Sequence, residues 1–137
     1  MLDVVTNRNC VFQTQYHVIW CPKNRRSFLS NLVSEETQRV LTDICQQNNW
    51  PVLALEIELD HIHLSLSIPP SLSVANAVKV LKGVSARKLL KTFPELRSIQ
   101  KDKQLWAPSY FVATSGNINA ETIKGFIERS GHITKRR

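Results

Sequence analysis

Residues 52–70, VLALEIELDHIHLSLSIPP, carry two runs in which apolar and polar residues alternate, and this period of two decides the fold. In 52–60, Leu53, Leu55, Ile57 and Leu59 point one way, and Glu56, Glu58 and Asp60 the other. In 61–68, Ile62, Leu64, Leu66 and Ile68 point inward, and His61, His63, Ser65 and Ser67 outward; Pro69 and Pro70 stop the run. Each is a half-buried strand with one wet face.

Working outward, 11–20 (VFQTQYHVIW) alternates in the same way, with Phe12, Tyr16, Val18 and Trp20 set against Gln13, Gln15 and His17. Between it and the strand pair, 34–49 has Val40, Leu41, Ile44 and Cys45 at helical spacing, with Ser34 as the expected N-cap. After the prolines, Ser73 caps a predicted helix running to about Phe93, with Val74, Ala77, Val78, Leu81 and Val84 on one stripe. A fourth strand is expected over 105–115, and a last helix over 119–130, ended by Gly131. The order strand, helix, strand, strand, helix, strand predicts an α+β domain of the ferredoxin-like split βαβ type. Its four-stranded antiparallel sheet has helices on one face, plus a C-terminal helix. The other face carries Gln13, Gln15, His17, Glu56, Glu58, His61 and His63, too polar a set for a core.

The 137 residues suit a single domain, 1–137, with one core. Hydrophobic residues make up 42% and charged residues 21%, an ordinary globular balance, and no apolar run approaches bilayer length. The first ten residues lack the basic and apolar regions of an export signal. Cys10, Cys21 and Cys45 are scattered and odd in number, which suits a reducing interior, so a cytoplasmic place is expected.

A formal charge of +7 points to a polyanionic partner. Its placement supports nucleic acid. Lys23, Arg25 and Arg26 follow the first strand, and Lys79, Lys82, Arg87, Lys88 and Lys91 crowd the second helix with no acid between Val74 and Pro94. An ordinary solvated helix interleaves carboxylates. His61 and His63, two apart on a strand, lie on one side roughly 6.6 to 6.8 Å from one another, a spacing from which two imidazoles can meet one ion. The same pair also fits two solvated histidines on an open sheet face.

The stretches YHVIWCPKNRR, DHIHL, LKGVSARKLL and LWAPSYFVATSGN, in that order between Tyr16 and Glu128, resemble the single-tyrosine HUH transposases, which move small insertion sequences as single-stranded DNA. The resemblance implies that His61 and His63 bind a divalent metal, magnesium or manganese, which polarises the scissile phosphate. It implies recognition of imperfect DNA hairpins at the element's ends, with contacts carried to Lys23, Arg25, Arg26, Lys82, Ser85 and Arg87. It also implies a homodimer in which the last helix of one subunit completes the other's site.

The sequence departs from that family at the reaction centre. The family's nucleophile is a tyrosine on the last helix that forms a 5′-phosphotyrosine bond; here the stretch is IKGFIERS, with Phe126 at that position. A phenyl ring has no oxygen to attack with. The family's third metal ligand, a glutamine one turn later, falls on Ser130. The expectation is therefore a transposase-family protein that binds hairpin-containing single strands and does not cleave them. Two alternatives stay open: an active transposase in which Phe126 replaces a natural tyrosine, and a non-catalytic DNA- or RNA-binding regulator. The tyrosines, Tyr16 and Tyr110, both fall on framework strands.

Overall fold

The computed structural model describes residues 4–6, 11–99, 104–114 and 119–135. Its elements, in chain order, are β1 (Val5–Thr6), β2 (Val11–Phe12), β3 (Gln15–Trp20), a 3₁₀ turn (Lys23–Arg25), α1 (Asn31–Asn48), β4 (Val52–Glu58), β5 (His61–Ser67), α2 (Val74–Thr92), α3 (Leu96–Ile99), β6 (Phe111–Thr114) and α4 (Ala120–Lys135). The main sheet has the order β4-β5-β3-β6, and every neighbouring pair is antiparallel. Counted along the chain, its strands stand 2-3-1-4, so a helix crosses over between each pair of parallel strands. This is the expected split βαβ arrangement. β1 and β2 form a separate small ribbon.

The core lies between one sheet face and the helices α1 and α2. Val18, Trp20, Ile62, Leu64, Leu66 and Ile68 from the strands meet Val40, Leu41 and Ile44 of α1 and Ala77, Val78, Leu81 and Leu89 of α2. Each fully buried side chain of this kind contributes roughly 1.5–3 kcal/mol. α2 begins where the sequence places it: Ser73 accepts a hydrogen bond from the Asn76 backbone N–H at 3.1 Å, and Phe93 is the C-cap.

Several boundaries differ from expectation for identifiable reasons. α1 starts at Asn31 behind Ser30, so Ser34 sits inside its first turn. The 11–20 run breaks after Phe12; Thr14 Oγ1 donates to the Ile68 carbonyl, and the paired strand resumes at Gln15. In β4 a register shift between Val52 and Ala54 turns Leu53 out, and it is 44% exposed; Leu59 lies past the strand end at 54%. Leu55 and Ile57 pack on the core as expected. Of 105–115, only Phe111–Thr114 pairs as strand, while Trp106 makes an isolated bridge to Pro22; Ser115 lies outside the described residues. α4 runs through Gly131 to Lys135, and its start is capped by Asn119 Oδ1, which accepts from the N–H groups of Glu121 and Thr122.

The second sheet face also departs from expectation. α4 packs there beside the 3₁₀ turn, and Phe126 and Ile127 join Ile19 and Cys21 in a separate small core. Ile19 and Cys21 follow His17 at alternate positions, so they share its face. Gln15, Ser65 and Ser67 on this face are buried too. Among the described residues no helix is long and apolar enough to cross a membrane.

Candidate metal and nucleic-acid site

Strand alternation and antiparallel register place the histidines. Opposed residues share a face, so β5 carries His61, His63 and Ser65 in a row beside Glu58, Glu56 and Ala54 of β4. On the other side of β5, β3 sets Ile19 opposite His63 and His17 opposite Ser65. His61 and His63 therefore lie on the same side, each half-buried.

Both motif histidines have a carboxylate at Nδ1. His61 Nδ1 is 3.0 Å from Asp60 Oδ1, and His63 Nδ1 is 3.6 Å from Glu56 Oε1. At 3.0 Å the Asp60 carboxylate can hold the His61 imidazole by its Nδ1–H, the usual arrangement behind a metal-binding histidine, whereas at 3.6 Å Glu56 is a charged neighbour of His63 rather than a hydrogen-bond partner. Burial, with help from neighbouring His17, holds His63 below the ordinary histidine range, against the pull of Glu56, so the ring tends to stay neutral. The donor set thus fits a divalent ion in chemistry. Among the described residues, no three or more His, Cys, Asp or Glu side chains yet converge on one point.

The position expected for the nucleophile lies on this same face. Phe126 is 7% exposed, its ring centroid 6.0 Å from that of Phe111, and it packs with Ile19, the direct cross-strand neighbour of His63. On either side of it along α4, Ile123, Lys124, Ile127 and Glu128 line a cavity of about 400 Å³ with Asp60 and His61. α4 thereby reaches the histidine row. Ser130 lies on the same helix, with a side chain outside what the structure describes.

The two basic stretches come together around the segment 104–110. The Lys23 N–H donates to the Leu105 carbonyl and its ammonium to Gln104 Oε1 at 3.1 Å, while the Ala107 N–H donates to the Cys21 carbonyl. From the other side, Lys82 Nζ donates to the carbonyls of Ala107 at 2.6 Å and Ser109 at 3.3 Å. A groove of about 490 Å³ runs between α2 and this segment, lined by Lys79, Lys82, Gly83, Trp106 and Pro108 among others. Exposed Arg87 follows Gly83 by one turn, and exposed Arg26 extends from the 3₁₀ turn. Arg25 belongs to that turn; its side chain is outside what the structure describes.

Two of the expected DNA contacts have an inward place instead. Ser85 is wholly buried: its hydroxyl donates to the Lys82 carbonyl at 3.2 Å and accepts from Trp106 Nε1 at 3.0 Å. Lys82 bends over to the two loop carbonyls, and burial pulls its ammonium down to about 8. Both tie α2 to the 104–110 segment. The sequence missed this because a one-sided basic helix does not show which of its polar residues face a loop.

Most of the chain has a counterpart among known proteins. Residues 10–130 match the family model described as "Transposase IS200 like". The chain belongs to the IS200-like transposase family. It is 36% identical over 127 residues to the ISDra2 transposase TnpA of Deinococcus radiodurans, covering 93% of this chain and 91% of that one. With the transposase for insertion sequence element IS200 of Salmonella typhimurium the identity is 32% over 123 residues, covering 90% and 78%. A solved transposase structure from Deinococcus radiodurans superposes with a TM-score of 0.84 at 35% identity, covering 92% and 97%. A REP-associated tyrosine transposase bound to a REP hairpin has the same fold at a TM-score of 0.50 and 13% identity, covering 93% and 73%. In this member of the family, His61 and His63 lie on one sheet face, and the helix that approaches them carries Phe126.

Proposed function

We propose that this chain binds hairpin-containing single-stranded DNA at insertion-sequence ends, holds a divalent metal at His61 and His63, and does not cut DNA because Phe126 stands where the nucleophile is needed. The observation that carries the reading is the placement of Phe126 against Ile19, one strand across from His63, beside a row of carboxylate-backed histidines. Bound there, magnesium or manganese would polarise a DNA phosphate for attack. The chain's own residues orient the His61 imidazole through Asp60, set the Glu56 carboxylate beside His63 and, through α4, bring the Phe126 ring to the same face. With no hydroxyl, that ring accepts no phosphoryl group.

Lys23, Arg25, Arg26 and Arg87 meet DNA phosphates, while Lys82 and Ser85 set the shape of that surface from beneath. Such contacts confer affinity and salt dependence rather than sequence choice. That the hairpin-bound neighbour has this fold supports a folded single strand as partner. The DNA-binding form is a cytoplasmic homodimer whose site is completed by the partner's last helix. The small cluster Ile19, Cys21, Phe126 and Ile127 is the contact α4 would exchange.

Fluorescence anisotropy tests the binding reading. A hairpin-containing single strand should bind more tightly than a blunt duplex of the same composition across a salt series, and charge reversal at Arg26 with Arg87 should weaken it at least tenfold and flatten the salt slope. Equal affinity for the two DNAs would overturn this reading.

A further inference from the structure

One histidine on this face lies outside the His-x-His motif. His17 sits on β3, opposite Ser65 and one step from His63. Its Nδ1 is 2.9 Å from His63 Nε2 and 2.9 Å from Ser65 Oγ. The two rings are tilted by 59° with centroids 5.1 Å apart, so they meet edge to edge through nitrogen rather than stacking.

Zinc–imidazole bonds run about 2.0–2.1 Å, and at bonds of about that length two nitrogens at right angles on one ion stand about 2.9 Å apart. His17 and His63 already hold that separation. The nitrogen involved on His63 is Nε2, while its Nδ1 lies 3.6 Å from Glu56 Oε1. His61, by contrast, shares a strand with His63 and is not yet convergent with it and a third group. Ser130, at the position that the resemblance gives to the family's glutamine ligand, is a shorter and weaker donor than glutamine.

We propose that His17 is itself a metal ligand in this chain, sharing with His63 the divalent ion of the proposed function, so that the ion is held across β3 and β5 rather than along β5 alone. The inference rests on that metal reading. For both nitrogens to bind the ion, the hydrogen shared between His17 Nδ1 and His63 Nε2 must leave that position, each neutral ring then carrying its one proton on its other nitrogen, with no net change in proton count. The Ser65 hydroxyl is released to solvent or to the ion's water shell.

Cadmium serves as a probe whose bonds can be seen in the intact chain. In protein labelled with ¹⁵N-histidine and loaded with ¹¹³Cd²⁺, scalar coupling should appear at Nδ1 of His17 and Nε2 of His63. Calorimetry with Mn²⁺ in the presence of hairpin DNA should show at least a tenfold loss of affinity for His17→Phe, which keeps a ring without a donor, and for His63→Ala. Coupling confined to His61 and His63, or a His17→Phe variant binding Mn²⁺ as tightly as the parent or more so, overturns the assignment of His17 and leaves the metal reading standing. Absence of any Cd²⁺ or Mn²⁺ binding to the parent chain with DNA present overturns both.

Discussion

Replacing Ser85 with alanine should lower stability while leaving DNA affinity nearly unchanged, because the hydroxyl is spent inside the protein. It is the acceptor for the Trp106 indole N–H at 3.0 Å, at a site with no exposed surface. Removing one partner of a buried hydrogen bond leaves the other desolvated and unpaired, which costs about 1–3 kcal/mol. The hydroxyl's own bond to the Lys82 carbonyl adds little, since that oxygen lies in mid-helix. Alanine's better helix propensity returns about 0.5 kcal/mol. The expected net loss is therefore about 1–2 kcal/mol, or a fall in melting temperature of about 4–8 °C for a chain of this size. Calorimetric melts of Ser85→Ala, Trp106→Phe and the double variant would show it. In the Trp106→Phe background the serine change should cost much less, because no indole N–H is left to orphan. An unchanged melting temperature together with a tenfold loss of hairpin affinity would refute this reasoning and return Ser85 to the DNA surface.

Further outcomes follow from single contacts. Burial brings Lys82 to about 8 from an ordinary 10.5, so between those values the unfolded chain binds more protons and stability should rise with pH. After discounting for residual solvent screening the gain is about 1–2 kcal/mol; urea midpoints at pH 7.5 and 10 should show it in the parent and not in Lys82→Met, and equal pH responses would contradict it. Ser73→Ala should cost about 1 kcal/mol by orphaning the Asn76 N–H at the start of α2, read as a drop in urea midpoint, with Ser73→Asp close to the parent. A fully stable Ser73→Ala chain would show that this cap contributes nothing.

The sheet and its two core helices were legible because period two and period 3.6 are strong signals wherever one face is buried. Ile62, Leu64, Leu66 and Ile68 are all at or below 1% exposure, as the alternation of 61–68 requires. Ser73 is a local signal and also held. What failed depended on partners remote in sequence. Leu53 alternates correctly, but a bulge on an edge strand turns it to solvent. Gly131 reads as a stop, yet α4 continues through it. The second small core was visible in part, since Ile19 and Cys21 interrupt the polar face of the first strand; their cover, Phe126 and Ile127, comes from the far end of the chain. The His-x-His pair announced itself by spacing. Alternation placed His17 on the same face, but nothing in a linear pattern brings residue 17 within contact of residue 63 except the strand order.

The central claim is that Phe126 alone makes cleavage chemically impossible, and restoring the oxygen tests it most directly. Hairpin-containing single strands from insertion-sequence ends, labelled at the 3′ end, would be incubated with manganese and the parent chain, Phe126→Tyr, or Phe126→Tyr with Ser130→Gln, and run on a denaturing gel. A 5′-phosphotyrosine bond retains the label in a shifted protein–DNA band. The parent should give no such band, Phe126→Tyr a weak one that grows steeply with manganese, and the double variant a stronger one less dependent on added metal, because a missing nucleophile is absolute and a weak ligand is a matter of degree. Strand cleavage by the parent chain, or a double variant that folds, dimerises and binds the hairpin yet never forms the adduct, would contradict the account.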